Sequence, residues 1–339
     1  MRLAFCHSEN VMHILVCGGA GYIGSHMVQL LLERGHDVTT LDNLSTGHRD
    51  ALLGGRFEFG DLGDSSVLDR VLSSSAFDAV MHFAAFIRVE ESVAHPGKYF
   101  RNNLCNTLNL LDAMVRHGVR RFIFSSTAAV YGEPQYVPVD EDHPREPINP
   151  YGSSKRMVED ALVYYARAHG LQSVPLRYFN AAGADPGGRL GPRHNPLTHL
   201  IPLVLRAAAG VTPNVKVFGR DYPTPDGTAV RDYIHVVDLC EAHLAAIDYL
   251  MKGGETRAFN LGVGRGFSVQ EVIDSAKRVT GRDFQVITEG RRPGDPAQLI
   301  ANPSLANRIF GWKARLADLD TIVAHNWAWQ LKTMGQKPA

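Results

Sequence analysis

From residue 13 onward, short apolar runs alternate with longer segments whose apolar positions recur at helical spacing. HILVCG (13–18), DVTTLD (37–42), FEFGD (57–61), AVMHFA (79–84) and RRFIFSS (120–126) predict buried strands, and SVPLRYFN (173–180) closes the series. Residues 22–34, 65–75, 97–117 and 150–169 predict helices between or after them. Strands that are apolar on both faces and alternate with helices predict an α/β fold, a doubly wound parallel sheet covered on both sides.

After Asn180 the texture changes. Residues 181–196, AAGADPGGRLGPRHNP, are rich in Gly and Pro and predict a loop long enough to be functional. Helices are expected at 197–209, 236–251, 268–279 and 318–333, with strands at VKVFG (215–219) and RAFNLGV (257–263). The expected organisation is a nucleotide-binding domain over 13–180 and a smaller α/β substrate-binding lobe over 181–339, interleaved with it. Residues 1–12 read as a disordered extension, with Met12 the functional start.

Composition narrows the classes. The chain has 339 residues with 35 basic and 35 acidic side chains, and zero formal charge argues against a sequence-independent nucleic-acid binder. No apolar run approaches a membrane span, since IPLVLRAAAGV is broken by Arg206. Cys6, Cys17, Cys105 and Cys240 form no CxxC pair and suit reduced thiols in a cytoplasm. The fifteen histidines include no HExxH, so no metal site is expected.

GGAGYIG (18–24) follows the first strand and opens the first helix, with Gly18, Gly21 and Gly24 at three-residue spacing. Glycines there permit the tight turn, the approach of a pyrophosphate and the close packing of helix on strand, a Rossmann-type dinucleotide site. Asp42 ends the second strand, where a carboxylate binds a ribose 2′-hydroxyl and repels a 2′-phosphate, so NAD is expected rather than NADP. Asp61 is placed to contact the adenine or to cap a helix. Phe83, Ala84 and Ala85 end the fourth strand, where small residues let a cofactor pass or simply fill a core.

Ser125, Ser126 and Thr127 end the fifth strand on the same edge, where a hydroxyl can bond a substrate oxygen. Tyr151 and Lys155, in NPYGSSK, share a face of the following helix. A free phenol has a pKa of about 10, so it serves as a base near neutrality only if lowered. An adjacent ammonium and an oxidised nicotinamide are expected to lower it.

With these residues assembled, the chain resembles the extended short-chain dehydrogenase/reductase family and, inside it, the UDP-glucose (UDP-galactose) 4-epimerases. GGAGYIGSH, LDNLS, SSTAAVYGEP, NPYGSSK, LRYFNAAGA, GTAVRDYIHVVDL and RRPGD carry the resemblance in order, from residue 13 to about 330. It implies a tightly held NAD, a UDP-sugar substrate, a transient 4-keto sugar and a homodimer. Tyr151 would exchange the proton of the sugar 4-hydroxyl, Thr127 would bond the reacting oxygen, and Lys155 would hold the nicotinamide ribose. Tyr22, Ile23, Asn43, Leu62, Asn102, Ser125 and Tyr178 complete the implied cofactor contacts. Phe179, Asn180, His199, Leu200, Phe218, Arg231, Tyr233, Arg292, Asp295 and Leu299 are the implied substrate contacts, with Arg231 and Arg292 on the diphosphate.

Three positions depart from the family pattern. Ile87 stands where some members have a lysine, His199 where some have asparagine, and Leu299 where some have a tyrosine. The smaller leucine leads to the expectation that N-acetylated sugars fit as well. UDP-pentose or UDP-N-acetylhexosamine epimerisation is the nearest alternative. A dehydratase would need acidic residues where Ala128 and Ala129 stand, and a non-catalytic NAD-binding protein would not need Tyr151, Lys155 and Thr127 together.

Overall fold

The computed structural model describes residues 11–292 and 294–335. Residues 1–10, and Cys6 among them, lie outside the described residues. Met12 is buried, and its carbonyl accepts from the Asp37 N–H at 2.9 Å, so packed structure reaches one residue before the expected boundary.

Seven strands form the central sheet: β1 (His13–Cys17), β2 (Asp37–Asp42), β3 (Arg56–Phe59), β4 (Ala79–His82), β5 (Arg121–Thr127), β6 (Gln172–Tyr178) and β7 (Phe259–Leu261). The order is β7-β6-β5-β4-β1-β2-β3, and every pairing is parallel. Alternation along β1 divides the core. Ile14 and Val16 face helices Tyr22–Glu33 and Val236–Met251, whereas Leu15 and Cys17 face helices Ser65–Ser73, Asn106–Arg116 and Pro150–His169. Apolar material on both faces is what the near-continuous hydrophobic strands require. The chain turns opposite ways after β1 and after β4, leaving a crevice at their carboxyl ends, where doubly wound sheets bind ligands.

The expected single helix over 97–117 is three pieces: Pro96–Tyr99, a π-helical stretch Phe100–Cys105, and Asn106–Arg116. Within the wide turn, Asn103 is fully buried and grips the backbone of Phe86, its Oδ1 accepting from the N–H and its Nδ2 donating to the carbonyl, both at 2.9 Å. A long-range side-chain contact, invisible to periodicity, reshapes the turn.

The second lobe has its own core of Ile201, Val204, Leu205, Val215, Val217, Val272, Ile273, Leu319, Ile322 and Val323. Its strands Asn214–Phe218 and Gln285–Glu289 pair in parallel. RAFNLGV, read as a lobe strand, instead supplies β7 to the central sheet. SVPLRYFN ends its sheet pairing at Tyr178; Asn180–Ala182 pairs with Tyr233–His235 in a separate two-stranded sheet.

Burial holds five imidazoles far below their ordinary 6.5: His26, His199 and His243 at about 4, His82 and His235 at about 3. Each takes up its proton in the unfolded chain near pH 6.5 but in the folded chain only near 3–4. The unfolded state therefore binds more protons across that window, and stability falls as pH drops through it. Through these rings the melting temperature is expected to fall steeply from about pH 6.5 to 4. Calorimetry across that range checks it; a flat profile would mean these rings are charged in the folded protein.

Candidate active site

The glycine loop shows which of its glycines the protein itself requires. Gly18 has φ +78°, and a Cβ there would lie 2.5 Å from the Ala84 nitrogen. At Gly24 a Cβ would lie 2.2 Å from the Gly18 carbonyl oxygen. Gly21 differs: a Cβ would meet only the Gly18 oxygen, at 3.3 Å. Gly21 precedes helix Tyr22–Glu33, whose first turn has neither a side-chain cap nor an acidic residue. Its N-terminal N–H groups and dipole face a cleft lined by Gly21, Tyr22, Ile23, Gly24 and Ser25, an arrangement that accepts an anion.

On one side of the loop lies a slot lined by Asp42, Asn43, Asp61, Leu62, Phe83, Ala84, Ala85, Phe86 and Asn102. The Asp42 oxygens accept from the Ala20 N–H at 2.9 Å and the Leu44 N–H at 2.8 Å. That fixes the carboxylate while leaving a lone pair on each oxygen for a ribose hydroxyl. Burial raises the Asp42 carboxyl above its ordinary value, and the two backbone N–H groups oppose that rise. Asp61 is no helix cap; Asp64 caps helix Ser65–Ser73, while Asp61 accepts from Asn43 Nδ2 at 2.5 Å and from the Gly63 N–H at 2.7 Å. Asn102 donates to Asn103 at 2.9 Å. These residues fit a dinucleotide: two acidic anchors at the strand ends, a small-residue floor and a free helix terminus.

The central cleft, about 560 Å³, is lined by the glycine loop together with Ser125, Thr127, Tyr151, Lys155, Tyr178, Phe179, Asn180 and His199. Two-residue alternation at the end of β5 aims Ser125 and Thr127 into it and Ser126 away from it. Ser126, grouped with them on sequence, donates instead to the buried Glu159. Ser125 Oγ and the Tyr178 hydroxyl share a hydrogen bond. Asn149 caps the Tyr151 helix by accepting from the Gly152 N–H at 2.9 Å, and Pro150 pre-sets its first turn.

In the protein alone, lysine is not what tunes the phenol. Lys155 Nζ donates to the Ser125 carbonyl at 2.8 Å and lies 4.7 Å from the centre of the Phe124 ring. Burial raises Tyr151 above its ordinary value, with a hydrogen bond to Thr127 pulling the other way. Burial likewise draws Lys155 down to about 7, opposed by Glu159. Desolvation, and not the ammonium, sets the direction for the phenol in the protein alone.

A second cleft, about 510 Å³, shares Tyr22, Asn180, Ala181 and His199 with the first and continues past Leu200, Phe218, Arg231, Tyr233, Arg292 and Asp295. Arg231 pairs with Asp295, and Arg292 lies 3.8 Å over the Phe218 ring with Glu90 at 3.7 Å. His199 precedes helix Leu200–Ala208, whose N-terminus has no side-chain cap. Asn180 Nδ2 donates to the Asp232 carbonyl at 3.0 Å. Leu299 lines neither cleft; it packs with Phe179 against Ala128, Val130, Tyr131 and Val139. Ile87 lines the central cleft, and no lysine stands in its place.

Sequence reading missed several supports. Asp232 is fully buried and accepts from the N–H groups of Val263, Gly264 and Ala301 at 2.9, 3.0 and 3.3 Å. The Tyr22 hydroxyl donates to the Gly183 carbonyl at 2.6 Å, joining loop 181–196 to the glycine loop. His194 bonds His199 at 3.2 Å. Only the position of Asp232 beside Arg231 offered a signal.

The profile of the NAD dependent epimerase/dehydratase family matches residues 14–262, from β1 past the glycine loop, the Tyr151–Lys155 helix and Arg231 to β7. The chain belongs to that family. Among its relatives, the UDP-glucose 4-epimerase of Halalkalibacterium halodurans is 50% identical over 318 residues, 94% of this chain and 95% of that one. The crystal structure of UDP-glucose 4-epimerase from Brucella ovis in complex with NAD superposes with a TM-score of 0.92 at 47% identity, over 94% of this chain and 98% of that one. The Bifidobacterium longum UDP-glucose 4-epimerase, in complex with NAD+ and UDP, gives 0.90 at 40% identity over 95% of this chain and 99% of that one.

Proposed function

We propose that this protein is an NAD-dependent epimerase acting at C4 of UDP-sugars, and that its substrates are UDP-galactose and UDP-glucose. The observation that carries the reading is the meeting of the two clefts: the one lined by the glycine loop, Tyr151 and Thr127 shares Tyr22, Asn180, Ala181 and His199 with the one bearing two arginines. Bound NAD would supply a cationic ring beside the phenol and a carrier for the hydride that leaves and rejoins the sugar C4. The chain's own residues do the rest. Asp42 and the glycine loop would hold the cofactor, and Lys155 would steady its ribose while keeping a positive charge near the phenol. Tyr151 takes the proton of the 4-hydroxyl, Thr127 holds that oxygen, and Tyr151 later returns the proton. Arg231, Arg292 and the terminus of helix Leu200–Ala208 neutralise the diphosphate. Phe218 offers a face to the uracil. The sugar is left free enough to turn between the two hydride steps.

The enzyme works in the cytoplasm, where exposed Cys105 stays reduced, and as a homodimer. Support for the dimer is the exposed apolar side chains Val93, Met157 and Tyr164 on helices Val89–Ala94 and Pro150–His169; sedimentation tests it.

Purified protein incubated with UDP-galactose and no added NAD is expected to form UDP-glucose, seen by chromatography that resolves the two. If nothing forms even with NAD supplied, the hexose assignment fails and UDP-pentoses become the next substrates to try.

A further inference from the structure

The Tyr151–Lys155 pair stands on a buried ionic network that the chemistry above does not use. Its centre is Glu159, one helical turn beyond Lys155 and 4% exposed. Its carboxylate accepts from Arg177 Nε at 3.0 and 3.1 Å and from Arg177 Nη2 at 2.6 Å. Ser126 Oγ donates to one oxygen, and Arg145 Nη1 donates to the other at 3.1 Å. Arg177, also buried, donates through Nη1 to the Tyr131 hydroxyl at 2.8 Å, which in turn donates to Asn260 Oδ1 on β7 at 2.6 Å.

Every first neighbour of Glu159 within the sheet adjoins a residue of the site. Ser126 lies between Ser125, whose carbonyl holds the Lys155 ammonium, and Thr127, which bonds the phenol. Arg177 precedes Tyr178, which reaches back to Ser125. A buried ion pair adds little net stability over apolar packing of the same volume. Its place directly behind the reacting groups, with every oxygen and most guanidinium nitrogens satisfied, therefore points to the site and not to the fold alone.

We infer that Glu159 is a positioning residue: its carboxylate ties β5 and β6 to the helix carrying Tyr151 and supplies the negative charge against which the Lys155 ammonium is held. The groups around Lys155 leave that task to Glu159. His82, on β4, is neutral through burial, and Tyr151 and Tyr178 are raised phenols. Arg145 and Arg177 are cations paired with that carboxylate. Lys155, 1% exposed, would lose its proton more readily without that charge. The kinetic consequence rests on the epimerase reading; the electrostatic one does not.

The test is Glu159→Gln, which keeps size and hydrogen bonding but removes the charge. Because this leaves Arg177 without its anion, the companion Glu159→Gln/Arg177→Gln, which removes one charge of each sign, carries the test if the single variant does not fold. Lys155 is titrated in the cofactor-loaded protein by NMR of ¹³Cε-labelled lysine, its signal assigned with Lys155→Met. The midpoint is expected to fall in the Gln variants and to return toward wild type in Glu159→Asp. With UDP-galactose, kcat is expected to drop about ten- to hundredfold with KM little changed, and the alkaline limb of the pH profile to move to lower pH. A folded Gln variant with a wild-type Lys155 midpoint overturns the inference, whatever its turnover. A shifted midpoint in a protein that never converts a UDP-hexose upholds the inference and sinks the functional proposal instead.

Discussion

Tyr151→Phe is expected to lower kcat for UDP-galactose by about 10²- to 10⁴-fold, the usual contribution of a positioned proton-transfer group. Phenylalanine keeps the ring that fills the cleft wall, so the fold and the retained NAD should survive; only the hydroxyl shared with Thr127 is lost. The described groups nearest the phenol along its helix and strands are engaged elsewhere or inert. Lys155 is bound to the Ser125 carbonyl, Tyr178 is engaged by Ser125, and Ala128 and Ala129 carry no proton. NAD released on denaturation and initial rates, measured on the same preparation, check both halves. Wild-type turnover would remove Tyr151 from the mechanism; loss of NAD together with turnover would make it a structural residue.

Gly21→Ala is expected to separate fold from cofactor. Its Cβ meets one carbonyl oxygen at 3.3 Å, which a shift of a few tenths of an ångström relieves, yet the same carbon projects where two clefts join. An extra methyl in a packed contact costs about 1–3 kcal/mol, which is a loss of NAD affinity of about five- to 150-fold. The variant should purify folded but depleted of NAD, with a melting temperature lower only by the lost ligand stabilisation. Gly24→Ala provides the contrast: 2.2 Å from a backbone oxygen leaves no room, so that variant should fail to fold. Full NAD occupancy in Gly21→Ala would mean that the pyrophosphate does not cross that glycine.

Much of the site was legible because its chemistry lies in short segments. The glycine loop, Asp42 and the Tyr151–Lys155 pair each declare themselves through local spacing, since a turn, a strand end and one helical turn are local objects. Ser126 was the instructive exception. Its composition matched its neighbours, but strand alternation turned it toward Glu159, whose partners Arg145 and Arg177 come from separate parts of the chain. Leu299 was expected at the sugar, and packing placed it behind Phe179.

The sequence by itself determined the α/β class and showed a glycine loop after the first strand and a phenol and an ammonium on one helical face, because these depend on periodicity and on nearest neighbours along the chain. Tertiary structure decided where RAFNLGV pairs, how Asn103 bends its helix onto Phe86, and what sets the charge on Tyr151 and Lys155. Those outcomes depend on burial and on partners distant in sequence. A protonation state in particular is a balance of desolvation against charges that only folding brings together.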